Sequence, residues 1–295
     1  MRILILIGLS IILVGCVPAE EGNISVYFCP GCEDVFRSFV MNDVDCALYD
    51  LDYPELFDDD DRVLLDNENA IDGFRADTAG QLSHNKFCVY DNMVLTGSTN
   101  PTKRGFNTNA NNIIVIESEL IAQNYKDEFA ELWGGTFGGG KKVRNPVIRF
   151  NNHTLRNYFC PEDSCKRHVM EELRDAKKSV YFMTFSFTDY DIAGLLVELN
   201  EEISVKGVME EQRINMKYNK FNYMNESISV YPDGSSGTMH HKVFIIDNKT
   251  VITGSYNPTK SGNERNDENI LIIEEPDVVS GFVSEFQKIY NIARD

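Results

Sequence analysis

Two stretches of the chain carry the same reactive side chains in the same order. In the first, His84 and Lys86 precede Asp91 and are followed by Ser98 and Asn100; in the second, His240 and Lys242 precede Asp247 and are followed by Ser255 and Asn257. An imidazole can attack or carry a proton, an ammonium can neutralise an anion, and hydroxyl and amide groups can donate to anionic oxygen. Together they give each stretch a nucleophile or proton carrier and the means to neutralise an anion. The chain has five histidines in all, and two begin this pattern. Every offset after the turn is one longer in the second copy, as its longer turn requires.

Each stretch reads as a β-hairpin. Residues 87–90 and 243–246 are rich in β-branched and aromatic residues, turns follow at 91–92 and 247–249, and second apolar runs occupy 93–95 and 251–252. Folding back about the turn sets His84 near Thr99 and Lys86 near Gly97, and His240 near Tyr256 and Lys242 near Gly254. Strand alternation puts His84 and Lys86 on one face, and His240 and Lys242 likewise, with Asn85 and His241 on the other.

The pattern His-x-Lys-x4-Asp followed by Gly-Ser-x-Asn resembles the phospholipase D superfamily, from about residue 24 to about residue 292. The resemblance implies an α/β fold of two pseudo-twofold-related halves with the active site at their interface. It also implies a two-step covalent route in which one histidine attacks phosphorus, giving a phosphohistidine, and the other protonates the leaving oxygen and later activates water. By resemblance His84 is the nucleophile and His240 the acid. Lys86 and Lys242 would supply positive charge, with Ser98, Asn100, Ser255 and Asn257 as donors to the phosphate. No His, Asp and Glu cluster with metal-ligand spacing accompanies them, and no cofactor is expected. The halves differ at one slot: Glu268 stands 28 residues after His240, and Asn111 stands 27 after His84. In the family this slot orients a histidine. A carboxylate there favours the charged imidazole, and an amide fixes orientation with little effect on charge. Asp91 and Asp247 read as turn residues that hold the hairpins.

The elements that must position these groups alternate between strand and helix in both halves. The first begins with a strand at 24–28, a helix near 33–39 and a strand at 46–50. The second matches it with a strand at 157–159, a helix at 166–177 and a strand at 180–183, then adds a helix at 192–202 and a strand at 205–209. The stretch from Cys29 to His84 is shorter than that from Cys160 to His240, so the first half is the trimmed one. An acidic run, residues 58–61, reads as a solvated turn rather than a calcium loop. After each hairpin comes a further strand (109–116, 266–273) and a helix (120–132, 276–293). The expected division is a signal peptide at 1–15, a tether at 16–23, a first repeat at 24–133, a Gly-rich linker at 134–150 and a second repeat at 151–295.

At 295 residues, with 42% apolar residues, the chain can bury a core in each half. Its net charge of −18 gives it no basic tail or stripe, so any nucleic acid must be held locally, at the site. Met1 and Arg2 precede an apolar run that ends in Leu13-Val14-Gly15-Cys16, which resembles a lipoprotein signal with Cys16 as the lipidated residue. The expected location is therefore extracytoplasmic and membrane-anchored. Six further cysteines suit an exported protein. Cys29 with Cys32, and Cys160 with Cys165, read as local disulfides at matching strand-to-helix turns, while Cys46 and Cys88 either pair or are buried thiols. With both repeats in one chain a monomer is expected. The expected activity is hydrolysis of nucleic acid phosphodiesters by an endonuclease, with hydrolysis or transfer on phospholipid as the alternative. The third possibility, an inactive binding protein, sits poorly with two intact motifs.

Overall fold

The computed structural model describes residues 17–295. The signal peptide and Cys16 lie outside the described residues. Two mixed sheets share one strand order. The seven-stranded sheet runs, in space, Ile24–Cys29, Asn111–Glu117, Met93–Gly97, Lys86–Tyr90, Asp45–Leu48, Arg62–Leu65, Arg75–Ala76. The nine-stranded sheet repeats this with His153–Cys160, Glu268–Ile273, Thr250–Gly254, Lys242–Ile246, Ser179–Thr184, Ser204–Met209, Ser229–Pro232. Two further strands, Ala19–Glu20 and Val147–Phe150, extend its edge. The last three strands of each run are parallel and the rest antiparallel, as hairpins joined to a crossover require.

The strands around the hairpins are apolar on both faces because both are covered. The inner layer holds the helices Glu119–Trp133 and Pro276–Arg294 between the sheets. Phe87, Tyr125 and Phe129 from the first half pack there in one cluster with Phe159, Met183 and Phe282 from the second. The C-terminal helix places Val278, Phe282, Phe286 and Ile289 along one face. Phe282 meets Phe28 of the first half edge to face, with ring centroids 5.2 Å apart. The two outer layers are separate clusters, one under Glu33–Phe39 and one under Cys165–Arg174 and Tyr190–Leu199.

Two expectations change. The tether is not free from residue 19 onward: Ala19–Glu20 pairs with Arg149–Phe150, and Gly22 exchanges hydrogen bonds with the Asn151 amide. An exposed sheet edge there offers the backbone partners that water would otherwise supply. By the same pairing, the end of the Gly-rich linker, Val147–Phe150, belongs to the sheet. Helix and strand limits otherwise shift by a few residues at their ends. The acidic turn caps itself, with Asp61 accepting from the N–H groups of Asp58 and Val44, and Asp58 from Asp60. Disulfides join Cys29 to Cys32 and Cys160 to Cys165, and a third joins Cys46 to Cys88, which face each other on neighbouring strands.

Candidate active site

The hairpin registers set Val89 opposite Val94 and Ile245 opposite Val251. Extended by the same steps, they bring Lys86 to Gly97 and Lys242 to Gly254. Both glycines have positive φ (138° and 149°), and a Cβ there would run into the carbonyl oxygen of Asn112 or Asn269 on the next strand, so a side chain at either would break the end of the hairpin.

Each histidine is anchored by the opposite half. The His84 N–H donates to the carbonyl of Asp267 at 2.9 Å, and the His240 N–H to that of Ala110 at 2.9 Å. Short parallel bridges, Ser83 with Asp267 and Met239 with Ala110, form this seam. They carry the next residues, Glu268 and Asn111, across it. Nδ1 of His84 donates to Oε2 of Glu268 at 2.7 Å, and Nδ1 of His240 donates to Oδ1 of Asn111 at 2.9 Å and to the Ser98 carbonyl at 3.0 Å. Each half therefore orients the other half's histidine. With Nδ1 engaged, Nε2 of each ring is the nitrogen left for chemistry.

The serines sit one step back. The Ser98 hydroxyl donates to Oδ1 of Asn111 and accepts from the backbone N–H of Asn112; Ser255 accepts from the N–H of Asn269 and bonds to Glu268. Both serines are fully buried. Their hydroxyls hold the residues that orient the histidines. Asn100 and Asn257 line the cleft, and each has a buried side-chain oxygen with no partner among the described residues. Nζ of Lys86 donates to the His84 carbonyl at 2.8 Å, and Nζ of Lys242 to the His240 carbonyl at 2.7 Å. Asn85 and His241 face the seam core: Asn269 donates to Asn85 at 2.8 Å and Asn112 to Nδ1 of His241 at 3.0 Å.

Asp91 and Asp247 lie at the far hairpin ends, away from the cleft. The Asp247 carboxylate accepts from the N–H groups of Lys177, Lys178 and Ser179, tying its turn to a neighbouring loop rather than to its own hairpin. At Asp91 it is the backbone carbonyl that is engaged, by Lys126.

Burial sets the electrostatics. It pushes His84 and His240 well below the ordinary imidazole value, and the two lysines push the same way. Burial likewise brings Lys86 down to about 7, against the upward pull of Glu268, and takes Glu268 up to about 8, against Lys86. Lys242 is pushed down too, by burial and by Lys86. Burial thus opposes the charged form of both groups, while each favours the charged form of the other. An arriving anion favours the ammonium.

These groups open into one cleft of about 730 Å³, lined from both halves and containing His84, His240, Asn100, Asn257 and Glu268. Sequence reasoning missed several of its walls. Tyr49 and Phe185, one residue beyond matching strands, meet the two histidine rings edge-on at 4.9 and 4.6 Å and lie 5.0 and 5.2 Å from the two lysine ammoniums. Arg104, Arg213 and Lys260 also line it. One available signal was the repeated Asn-Pro-Thr-Lys at 100–103 and 257–260, whose threonines cap the short helices Lys103–Asn107 and Lys260–Glu264 beside the cleft. Among the described residues no group of three or more His, Cys, Asp and Glu side chains is placed to hold a metal.

Residues 62–133 and 169–290 match the family model described as cardiolipin synthase, PLD-like domain. The chain is 28% identical over 142 residues to a phospholipase D of Rickettsia bellii, a match covering 48% of this chain and 71% of that one. It is 32% identical to a phospholipase D family member, Nuc, from Salmonella typhimurium, over 48% of this chain and 97% of that one, with a TM-score of 0.46. A likeness of fold extends over 91% of this chain and 86% of the phosphatidylserine synthase of Haemophilus influenzae Rd KW20, with a TM-score of 0.65 at 14% identity. With two hairpins that share one motif and meet in one cleft, and with the family model covering most of both halves, the chain belongs to the phospholipase D superfamily of phosphodiesterases.

Proposed function

We propose that the chain hydrolyses nucleic acid phosphodiesters through a phosphohistidine, with His84 as nucleophile and His240 as general acid and base. His240 enters as the imidazolium, which the bound phosphate anion favours against the effect of burial. Nε2 of His84 attacks phosphorus while the bond to the leaving oxygen breaks, and His240 gives that oxygen its Nε2 proton. A water then attacks phosphorus, its proton passes to His240, and His84 leaves as the free imidazole. Lys86, Lys242, Asn100 and Asn257 stabilise the charge on the non-bridging oxygens, so no metal ion is required by this route. The unequal partners support these roles. The nucleophile becomes a cationic phosphoimidazole, which the Glu268 carboxylate stabilises; the acid must give up its proton, which Asn111 and a backbone carbonyl do not oppose.

The observation that carries the substrate reading is the lining of the cleft. It is polar, with the cations of Arg104, Arg213 and Lys260 beside the carboxyls of Asp50 and Glu268, in a chain of net charge −18, and Leu82, Tyr49 and Phe185 are its main apolar groups. A second reading, hydrolysis or transfer on phospholipid, draws support from the lipoprotein-like ending at Cys16 and from the family description. We also propose lipidation at Cys16, which predicts incorporation of labelled fatty acid that Cys16→Ser abolishes. Incubating the purified chain with EDTA and, in parallel, single-stranded DNA, RNA, cardiolipin and phosphatidylcholine tests the substrate. Cleavage of lipid alone rejects the nucleic acid reading, and loss of all activity with EDTA rejects the mechanism.

A further inference from the structure

The two halves differ most beside the cleft. Residues 210–228 join Ser204–Met209 to Ser229–Pro232, where the first half has only residues 66–74 between Arg62–Leu65 and Arg75–Ala76. This longer connection starts in the cleft, at Gln212 and Arg213, and runs outward along the N-terminal end of the helix Tyr190–Leu199. Residues 211–223 hold Arg213, Lys217 and Lys220 against one carboxylate, Glu211. The cations lie against aromatic rings: Arg213 is 4.3 Å from the Phe185 centroid, Lys217 4.8 Å from Tyr218, and Lys220 5.4 Å from Tyr190. Tyr190 in turn lies 5.2 Å from Tyr223.

The rings are open to solvent. Tyr218 is 68% exposed and Tyr190 60%. Tyr218 has φ of 73°, a backbone state that an aromatic residue seldom adopts. The backbone donates from Lys220 to the Phe187 carbonyl at 3.0 Å, so the strip is fastened to the wall of the cleft. The neighbouring carboxylate of Asp191 is paired with Lys166 at 2.6 Å and does not oppose it.

Resting on the nucleic acid reading above, we propose that this strip holds the single strand flanking the scissile phosphate. The tyrosine rings would stack on bases, and Lys217 and Lys220 would contact phosphates. Alternating rings and cations along a path that leads out of a catalytic cleft match what a flexible polyanion with flat bases needs. A bilayer would need a broader aliphatic surface, and Met216 is the exposed large aliphatic side chain of the strip.

The test compares the wild-type chain with Tyr190→Ala/Tyr218→Ala and with Lys217→Gln/Lys220→Gln. Three readouts are needed: turnover of a 20-nucleotide single strand, turnover of bis(p-nitrophenyl) phosphate, which is too small to reach the strip, and anisotropy binding of a phosphorothioate strand. The tyrosine variant should bind the strand about 5- to 100-fold more weakly, at the scale of base stacking on one or two rings. The lysine variant should flatten the slope of log affinity against log salt by about 1.4, two phosphate contacts at roughly 0.7 each. Both should turn over the small diester as the wild type does, which also shows that they fold. Unchanged strand binding in both variants overturns the proposal while leaving the nuclease reading intact. Wild-type turnover of the small diester without strand cleavage overturns the nuclease reading, and the strip then stands or falls on the binding assay. Loss of binding to anionic phospholipid vesicles in the tyrosine variant, with strand binding unchanged, would make the strip a membrane surface and also overturn the proposal.

Discussion

Replacing Glu268 with Gln separates charge from geometry at the one place where the two halves are chemically unequal. The amide oxygen can still accept from Nδ1 of His84, so the 2.7 Å contact and the ring orientation should persist while the negative charge goes. That charge faces an imidazole that becomes cationic as the phosphohistidine forms. Two unit charges about 4 Å apart interact by about 4 kcal/mol at an effective dielectric of 20. Part of this is offset because the Gln variant no longer holds a buried carboxylate. Formation of the intermediate should therefore lose roughly 2 to 3 kcal/mol, or about 30- to 150-fold in rate. Breakdown expels a neutral imidazole from a state that the substitution has already raised, so it should slow much less. The pH profile should move as well. Glu268 pulls Lys86 upward; without the carboxylate the ammonium is lost at lower pH, and the basic limb of kcat/KM, to which loss of the His240 proton also contributes, should shift down. The acidic limb, where His84 takes a proton, should lie below the ordinary imidazole value in the wild type. Rapid-quench kinetics with a labelled substrate separates the two steps. An unmoved profile with both steps slowed alike would refute the argument and leave Glu268 as packing.

Three further outcomes follow from the geometry. Ser255→Ala should lower kcat by roughly tenfold with KM nearly unchanged, because its hydroxyl supports Glu268; a rise in KM alone would return the hydroxyl to the phosphate. His241→Ala should cost stability by about 2 kcal/mol or more, seen as a lower melting temperature, since it empties a fully buried position and removes one of the two acceptors of the Asn112 amide. A melting curve that matches wild type would contradict this. Removing the bridge between Cys46 and Cys88, which are 42 residues apart, should destabilise by about 4 kcal/mol on the chain-entropy account, against about 2 kcal/mol for either short bridge; equal effects in thermal melts of the Cys→Ala pairs would set that ranking aside.

Much of the site was legible because its information is local. The His-x-Lys spacing, the turn and the Gly-Ser-x-Asn return lie within one hairpin, so strand alternation places His84 with Lys86 and His240 with Lys242. What the spacing does not carry is the exchange across the seam. Glu268 orients a histidine 184 residues away, and Asn111 one 129 residues away, through bridges that form only when both halves are folded together. What the serines hold is hidden for a related reason. A hydroxyl beside a catalytic histidine reads as a substrate donor until the neighbouring strand shows where its hydrogen bonds go. Tyr49 and Phe185 lie outside the repeated motif, and nothing in the sequence sets them apart from other aromatic residues near strand ends. The edge strand Ala19–Glu20 carries no periodic pattern at all; its pairing is set by the neighbour that it meets.

The central claim is that His84 carries the phosphoryl group and His240 the proton. Quenching the enzyme in base during turnover, then mapping the acid-labile phosphate by mass spectrometry after digestion, tests it directly. The account predicts phosphate on the peptide that contains His84, formed in the presence of EDTA and absent from His84→Ala. Phosphate on the His240 peptide, or a burst of product with neither histidine labelled, would contradict it.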